Sequence, residues 1–176
     1  GYSAGMRIES LSIVPMLAMG NAMSTFTAQN MGAGKIDRVK EGYRMCYVIV
    51  LTAGAVLCVM YQLAGGAFVS LFLDSGSSEA YSVGLSYVKF LSFFYSFIGL
   101  KASTDGLLRG AGDVTAFTVA NLVNLAIRVS VTNLFAPIYG IQVAWMAVPL
   151  GWAANYVISF GWYLTGKWKK VRVIKK

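Results

Sequence analysis

Residues 7–44 read RIESLSIVPMLAMGNAMSTFTAQNMGAGKIDRVKEGYR. The run from Leu11 to Ala28 carries no charged residue. It is nearly long enough to cross a bilayer alone, since a span takes about 20 mostly apolar residues. A glycine-rich turn and a basic segment follow it, an order typical of the cytoplasmic edge of a membrane helix. The rest of the chain repeats this order of apolar run and short Gly or Pro turn, so we predict an integral membrane protein.

The composition excludes several other classes of protein. The chain has 176 residues, of which 57% are hydrophobic and only 12% charged, whereas soluble domains carry roughly 25% charged residues. Its net charge of +8 does not indicate a nucleic-acid partner, because the basic residues lie between apolar runs rather than on a polar domain. The sequence contains no His, which removes the commonest general base and metal ligand. We therefore expect no metal site and no nucleic-acid binding.

The apolar runs predict an all-α integral membrane fold of about five transmembrane helices. A short surface helix is expected within 31–44, and Gly65-Gly66 is expected to bend the chain so that 67–73 lies at the opposite interface. Residues 167–176 are predicted to form a basic cytoplasmic tail. The spans of the transmembrane bundle (residues 1–166) are predicted at about 5–30, 45–63, 84–108, 114–135 and 141–164.

The distribution of basic residues predicts the orientation. Eleven of the fifteen Lys and Arg residues lie in 31–44, 109–113 and 167–176, and the loops on the other side have none. Since cytoplasmic loops are enriched in Lys and Arg, the C-terminus is predicted to be cytoplasmic and the N-terminus outside. The expected location is the plasma membrane, most simply a bacterial inner membrane. The odd number of spans and the first residue, Gly1, indicate a fragment of a longer protein.

Charged residues inside apolar spans are candidates for transport or ion coupling, because they are costly in lipid. Glu9 lies with Arg7 near the outer end of the first span, and Lys101 and Asp105 lie four residues apart on one face of the third. Each pair has two interpretations. It is either a structural ion pair or a site for a cation or proton.

The fourth span carries further candidates. Asn121, Asn124 and Arg128 are spaced by three and four residues, so they are expected to share one helix face. Arg128 is interpreted either as a packing anchor or as the partner of an acidic group such as Glu9. A separate set of residues is interpreted as structural, in two glycine-rich turns at the inner surface: Gly32, Gly34, Arg109, Gly110 and Gly112.

Three stretches carry a resemblance to a known family. They are Arg7–Ser10 with Pro15, Ser24-Thr25 and Ala28–Lys35, the turn Gly106–Asp113, and the polar fourth span with Arg128. In this combination and spacing the chain resembles the multidrug and toxic compound extrusion (MATE) transporters over essentially its whole length.

The resemblance implies a larger transporter. Members of this family have twelve spans in two six-helix lobes, and the match places this chain at helices eight to twelve, in the C-terminal lobe. Helix seven and the N-terminal lobe would be its missing partners. The resemblance also implies inward movement of Na⁺ or H⁺ coupled to outward movement of small organic compounds, often cations. No cofactor is expected, since Na⁺ or H⁺ would be transported as the coupling ion.

The ion-binding residues of the family are poorly represented. In one branch, acidic residues in helices seven and ten contribute to cation binding. The first of these helices is absent here, and Ile98 occupies the position of the second acid. In another branch the essential acid lies in helix one, which is also absent.

Alternatives to drug export are an exporter of lipid or polysaccharide precursors with a related fold and a non-transporting scaffold subunit. A membrane-embedded enzyme is disfavoured, because the sequence has neither His nor paired acids within its spans.

Overall fold

The computed structural model describes residues 2–73, 78–140 and 142–170. The middle of the predicted outer loop (74–77), Ile141 and the last six residues of the predicted tail (171–176) lie outside the described residues. Within the described ranges every regular element is helical, as predicted. The helices are α1 (Tyr2–Gly32), α2 (Ile36–Ser70), α3 (Ser78–Ser92), α4 (Tyr95–Gly110), α5 (Val114–Tyr139) and α6 (Gln142–Leu164), followed by the short 3₁₀ helix η1 (Lys167–Lys170).

Four of these helices, α1, α2, α5 and α6, are long and apolar enough to cross a membrane. The pair α3 and α4 is bent by 52° and supplies a fifth span if it is counted as one. The limits of the spans in the bilayer stay a prediction, and the predicted third span is divided between α3 and α4. α1, the α3–α4 pair and α6 run toward the end of the bundle that carries Lys35, Arg109 and Lys167, called the basic end below. α2 and α5 run away from it.

The expected surface helix and the expected glycine bend are both parts of α2. This helix begins at Ile36 and continues through Gly65 and Gly66 to Ser70. The two glycines do not form a turn, because the helix continues through them. Their role is to allow α3 to approach α2 closely. A Cβ at Gly66 would lie 2.7 Å from the Tyr81 hydroxyl, and one at Gly65 would lie 3.2 Å from Leu85 Cδ1. Tyr81 also donates a hydrogen bond of 3.1 Å to the Gly66 carbonyl.

The bend between α3 and α4 divides the predicted third span, and side chains account for it. Gln62 of α2 donates hydrogen bonds of 2.9 Å to the Lys89 carbonyl and to Ser92 Oγ. The Ser92 hydroxyl donates to the same Lys89 carbonyl at 2.7 Å. Side chains that insert into the backbone ladder bend a helix. The helical path ends at Ser92 and resumes at Tyr95.

Small residues bring α1 and α4 together along parallel paths. Ala102, Gly106 and Gly110 recur every four residues on α4 and face Gly20 and Ser24 of α1. A Cβ at Gly106 would overlap the Gly20 carbonyl oxygen, and a Cβ at Gly110 would overlap that of Ser24. Close approach through small residues is a common way for membrane helices to associate. α4 is thereby fixed against α1 at the centre of the bundle.

The two predicted turns at the basic end share one geometry. At the first, Gly34 has a φ of 70° and Lys35 N donates to the Asn30 carbonyl at 2.8 Å. At the second, Gly112 has a φ of 84° and Asp113 N donates to the Leu108 carbonyl at 2.9 Å. These are the bonds and the left-handed glycine of a Schellman helix end.

We expect Gly34→Ala to lower the free energy of unfolding by about 1–2 kcal/mol, since an L side chain is strained at positive φ. Gly32→Ala is the matched control in the same turn, because no neighbour lies within 4 Å of a Cβ at either position and Gly32 has no positive φ. The control should be neutral or slightly stabilising. Denaturant titration of the complete protein in detergent measures the free energy of unfolding of each variant. An equal decrease in the two variants would contradict the explanation by the positive φ of Gly34.

Candidate functional site

A polar stripe along α4 lines a cavity between α1, α4 and α5. Lys101, Asp105 and Arg109 are spaced four residues apart and so share one helix face. Together with Asn21 of α1 and Asn121 of α5 they line a cavity of about 270 Å³. The sequence predicted the Lys101–Asp105 pair but placed Arg109 in a turn, separate from it.

Asp105 is held by partners from two other helices. Its Oδ2 atom lies 2.8 Å from Lys101 Nζ and accepts a hydrogen bond of 3.2 Å from Asn121 Nδ2. Its Oδ1 atom accepts a 2.7 Å bond from Ser159 Oγ of α6. The two charged side chains are only 14% and 6% exposed. Asp105 therefore joins α4 to α5 and α6, as the structural interpretation of the pair requires.

Arg109 connects α4 to α1. Its Nη2 atom donates to Asn21 Oδ1 at 2.8 Å and its Nε atom to Ser24 Oγ at 3.3 Å. The guanidinium lies 5.7 Å from the centre of the Phe117 ring. The residue is exposed and occupies the same cavity as Lys101.

Glu9 lies toward the other end of the bundle and is half-buried. Its Oε2 atom accepts a hydrogen bond of 2.5 Å from the Tyr87 hydroxyl of α3. An ion pair between Arg7 and Glu9, one of the two interpretations of these residues, is not formed. Among the described residues, the ion pairs within 4 Å are Lys40–Asp37 and Lys101–Asp105. Residues two apart on a helix do not face each other, and Arg7 is exposed.

The polar residues of α5 divide between two surroundings. Asn121 contacts α4, whereas Asn124 and Arg128 pack beside Gly151 of α6, where a Cβ would meet both side chains. Arg128 is exposed and lines a second cavity of about 430 Å³. Among the described residues, no ion pair within 4 Å joins it to Glu9, the acidic partner considered for it in the sequence. Asn124 is buried, and its Oδ1 atom has no hydrogen-bond partner among the described residues.

A cluster of buried hydroxyl groups next to Asp105 was not foreseen. Thr104 Oγ1 lies 2.7 Å from the Tyr43 hydroxyl and 2.9 Å from that of Tyr47, and the two tyrosines also contact each other. Tyr47 extends the cluster to Tyr156 of α6 at 3.3 Å. Tyr43, expected in a surface segment, is 3% exposed. The cluster joins α2, α4 and α6.

The described residues contain no group of three or more His, Cys, Asp or Glu side chains that could hold a metal ion. The chemistry that the site offers is therefore that of single carboxylates, two cations and neutral amide and hydroxyl groups.

Comparison with known families decides the identity. The MatE family model matches residues 1–148. The chain belongs to the MatE family. This confirms the resemblance found in the sequence, and members of this family are transporters.

Several curated relatives of this MatE chain are bacterial proteins named for multidrug resistance, and another is named a FAD transporter of Shewanella oneidensis, 28% identical over 40% of this chain and 16% of its own length. A probable multidrug resistance protein of Bacillus subtilis, YpnP, is 28% identical over 98% of this chain and 39% of its own length. The corresponding NorM protein of Thermotoga maritima is 21% identical over 100% of this chain and 38% of its own. The chain thus spans less than half the length of these relatives.

A solved structure has the same fold as this MatE chain. It is described as an inward-facing conformation of a multidrug resistance MATE family transporter of the MOP superfamily. The TM-score is 0.78 at 19% sequence identity, over 90% of this chain and 36% of the other. With its apolar helices, the chain belongs to a family of multi-pass membrane proteins.

Within the MatE family this chain departs from one pattern of acids. Ile98, at the position where the resemblance implied an acidic residue, is 5% exposed and lies in the core. Polar groups that sequence reasoning missed are Ser159 and Tyr87, the hydrogen-bond donors to Asp105 and Glu9. The sequence does indicate that Ser159 could have a polar role, because it lies four residues after Asn155 in an otherwise apolar span.

Proposed function

We propose that the complete protein is an antiporter that exports drugs or other small organic compounds in exchange for Na⁺ or H⁺, and that Glu9 carries the coupling cation. The membership in the MatE family and the names of three curated relatives support drug export. The proposed orientation has the basic end in the cytoplasm, following the positive-inside rule. The partners in this proposal are the bilayer, the helices that the longer relatives have in addition, and the organic substrate.

The environment of Glu9 is the observation that carries the choice of coupling residue. The other described acids apart from Asp105 lie elsewhere. Asp37 and Glu79 are exposed in the first turns of α2 and α3, Glu41 is exposed on α2, and Asp113 accepts a hydrogen bond from Ala116 N as the cap of α5. Glu9 is inside α1, half-buried, and has no Lys or Arg nitrogen within 4 Å among the described residues. A carboxylate in such a place can accept a proton or a Na⁺ ion without displacing a fixed cation.

Asp105 is the second candidate, and its surroundings make it the weaker one. Lys101 and two hydrogen-bond donors already occupy its oxygen atoms. An incoming cation would have to displace the Lys101 ammonium and bear the cost of leaving it unpaired. In this proposal Lys101, Asp105 and Asn121 hold the helices together, and Arg128 and Asn124 pack α5 against α6 beside Gly151.

The test compares carboxylates in the complete protein, expressed in cells that lack their main exporters. Ethidium efflux is followed with and without an imposed Na⁺ or H⁺ gradient. We expect Glu9→Gln to reduce gradient-driven efflux to the level of cells without the transporter, because the neutral amide cannot exchange the coupling ion. Glu41→Gln, which removes an exposed carboxylate from α2, is the matched control and should transport like wild type.

Other outcomes separate the alternatives. Normal efflux in Glu9→Gln combined with loss in Asp105→Asn, at equal amounts of folded protein, would transfer the coupling role to Asp105. Normal efflux in both variants would place coupling outside this chain. No ethidium efflux by the wild-type protein would overturn drug export and favour a precursor exporter or a scaffold.

A further inference from the structure

The cavity above Lys101, Asp105 and Arg109 carries a net positive charge. Two of the ionisable groups lining it are cations and one is a carboxylate. The carboxylate is paired with Lys101 at 2.8 Å, whereas no acid lies within 4 Å of Arg109 among the described residues. A positive group entering this space would therefore meet an unbalanced guanidinium.

Every side-chain oxygen atom of the Asp and Asn residues that line the cavity already accepts at least one hydrogen bond. Both oxygen atoms of Asp105 accept hydrogen bonds, as described above. The side-chain oxygen of Asn121 accepts from Lys101 at 3.1 Å, and that of Asn21 accepts from Arg109 at 2.8 Å. Few acceptor sites are left for a ligand.

Most of the groups in the cavity that can still form a hydrogen bond are donors. A lysine ammonium has three N–H groups and a guanidinium has five. The described partners of Lys101 use two of the three, and those of Arg109 use two of the five. The side-chain NH₂ group of Asn21 has no described acceptor. Two cationic donors and an amide donor thus face a space of about 270 Å³ that has little to offer a cation.

We propose that this cavity binds the anionic group, a carboxylate or a phosphate, of an amphipathic ligand. Arg109 supplies the planar fork that matches two oxygen atoms of such a group. Phe117 lies against the guanidinium and, with Leu17, provides an apolar wall for the body of the ligand. Lys101 adds a point charge, and Asp105 holds it in place. The inference is independent of cation coupling at Glu9, since binding needs no gradient.

The experiment measures binding to the complete protein in a neutral detergent, without any ion gradient. Dansylglycine is a fluorescent carboxylate, and its methyl ester differs from it in lacking the negative charge. We expect the acid to bind more tightly than the ester. Arg109→Gln and Lys101→Gln should each raise the Kd for the acid about tenfold or more, the effect of one charge-assisted hydrogen bond. The Kd for the ester should change little.

A matched control variant and the ester distinguish a loss of anion binding from a loss of folded protein. Arg38→Gln removes the same guanidinium from an exposed site on α2 and should leave both constants unchanged. Unchanged ester binding shows that the cavity is still formed in Arg109→Gln and Lys101→Gln. Equal affinities for acid and ester in the wild type, or equal weakening by Arg38→Gln and Arg109→Gln, would overturn the proposal.

A second arm distinguishes the two sources of an anionic group. The protein is placed in nanodiscs of phosphatidylcholine alone or with phosphatidylglycerol. Competition by phosphatidylglycerol that Arg109→Gln abolishes would assign the cavity to a lipid headgroup. Dansylglycine binding that is the same in both lipids would assign it to a soluble organic anion.

Discussion

Gly106→Leu is expected to leave most of the complete protein unfolded. A Cβ at this position would overlap the carbonyl oxygen of Gly20. The nearest atoms all belong to the Gly20 backbone, so no side chain can move away to make room. Overpacking in a core costs about 1–3 kcal/mol where side chains can adjust, and we expect more than about 3 kcal/mol here. Proteins are stable by only about 5–15 kcal/mol. The yield of monodisperse protein on size-exclusion chromatography in detergent measures the effect.

Gly161→Leu is the control for this substitution. Gly161 also lies within a helix, α6, but no neighbour would be within 4 Å of a Cβ placed there. Leucine has the higher helix propensity, so the control should be neutral or more stable by up to about 1 kcal/mol. A normal yield of Gly106→Leu would show that α1 and α4 can separate, and that the small residues between them do not determine the packing.

The spans could be predicted because lipid imposes a simple rule on the sequence. Every backbone group in a bilayer needs a partner, so a long apolar run must form a helix. The same rule does not predict where a helix bends. The break after Ser92 depends on Gln62, which is 30 residues away and reaches the Lys89 carbonyl from another helix. No local pattern contains that contact.

The structural role of a glycine could not be predicted from the sequence for a similar reason. Gly34 does end a helix, with positive φ, as its turn suggested. Gly65 and Gly66 look alike in sequence but lie inside α2, where their use is to admit Leu85 and Tyr81 of α3. The choice between a turn and a close approach depends on the partner helix, which the sequence does not reveal.

In the candidate site, contacts within one helix could be predicted from the sequence, whereas contacts between helices could not. Lys101 and Asp105 are four residues apart on one helix, a spacing that predicts contact, and they form an ion pair. Arg7 and Glu9 are two residues apart and do not. Partners on other helices, such as Ser159 and Tyr87, could not be assigned because tertiary packing alone brings them to the two carboxylates.

Asp105→Leu should destabilise the complete protein by about 3–5 kcal/mol, because it leaves the Lys101 ammonium buried without its counter-charge. That side chain is 14% exposed and would retain only the Asn121 oxygen as a described partner. Lys101→Met/Asp105→Leu removes both charges and replaces them with apolar groups of similar size. We expect it to recover most of the lost stability, since buried ion pairs are often no more stabilising than well-packed apolar residues. Denaturant titration of the wild type, both single variants and the double variant gives the coupling energy.

The double variant also separates structure from transport. If Glu9 couples the ion and the Lys101–Asp105 pair only holds helices together, the recovered protein should export ethidium in response to a gradient, while its affinity for dansylglycine falls because Lys101 is gone. If the pair carries the coupling ion, stability should return without transport. A double variant as unstable as Asp105→Leu alone would contradict the first premise, because the loss would then come from Asp105 bonds to Asn121 and Ser159 rather than from an unpaired charge.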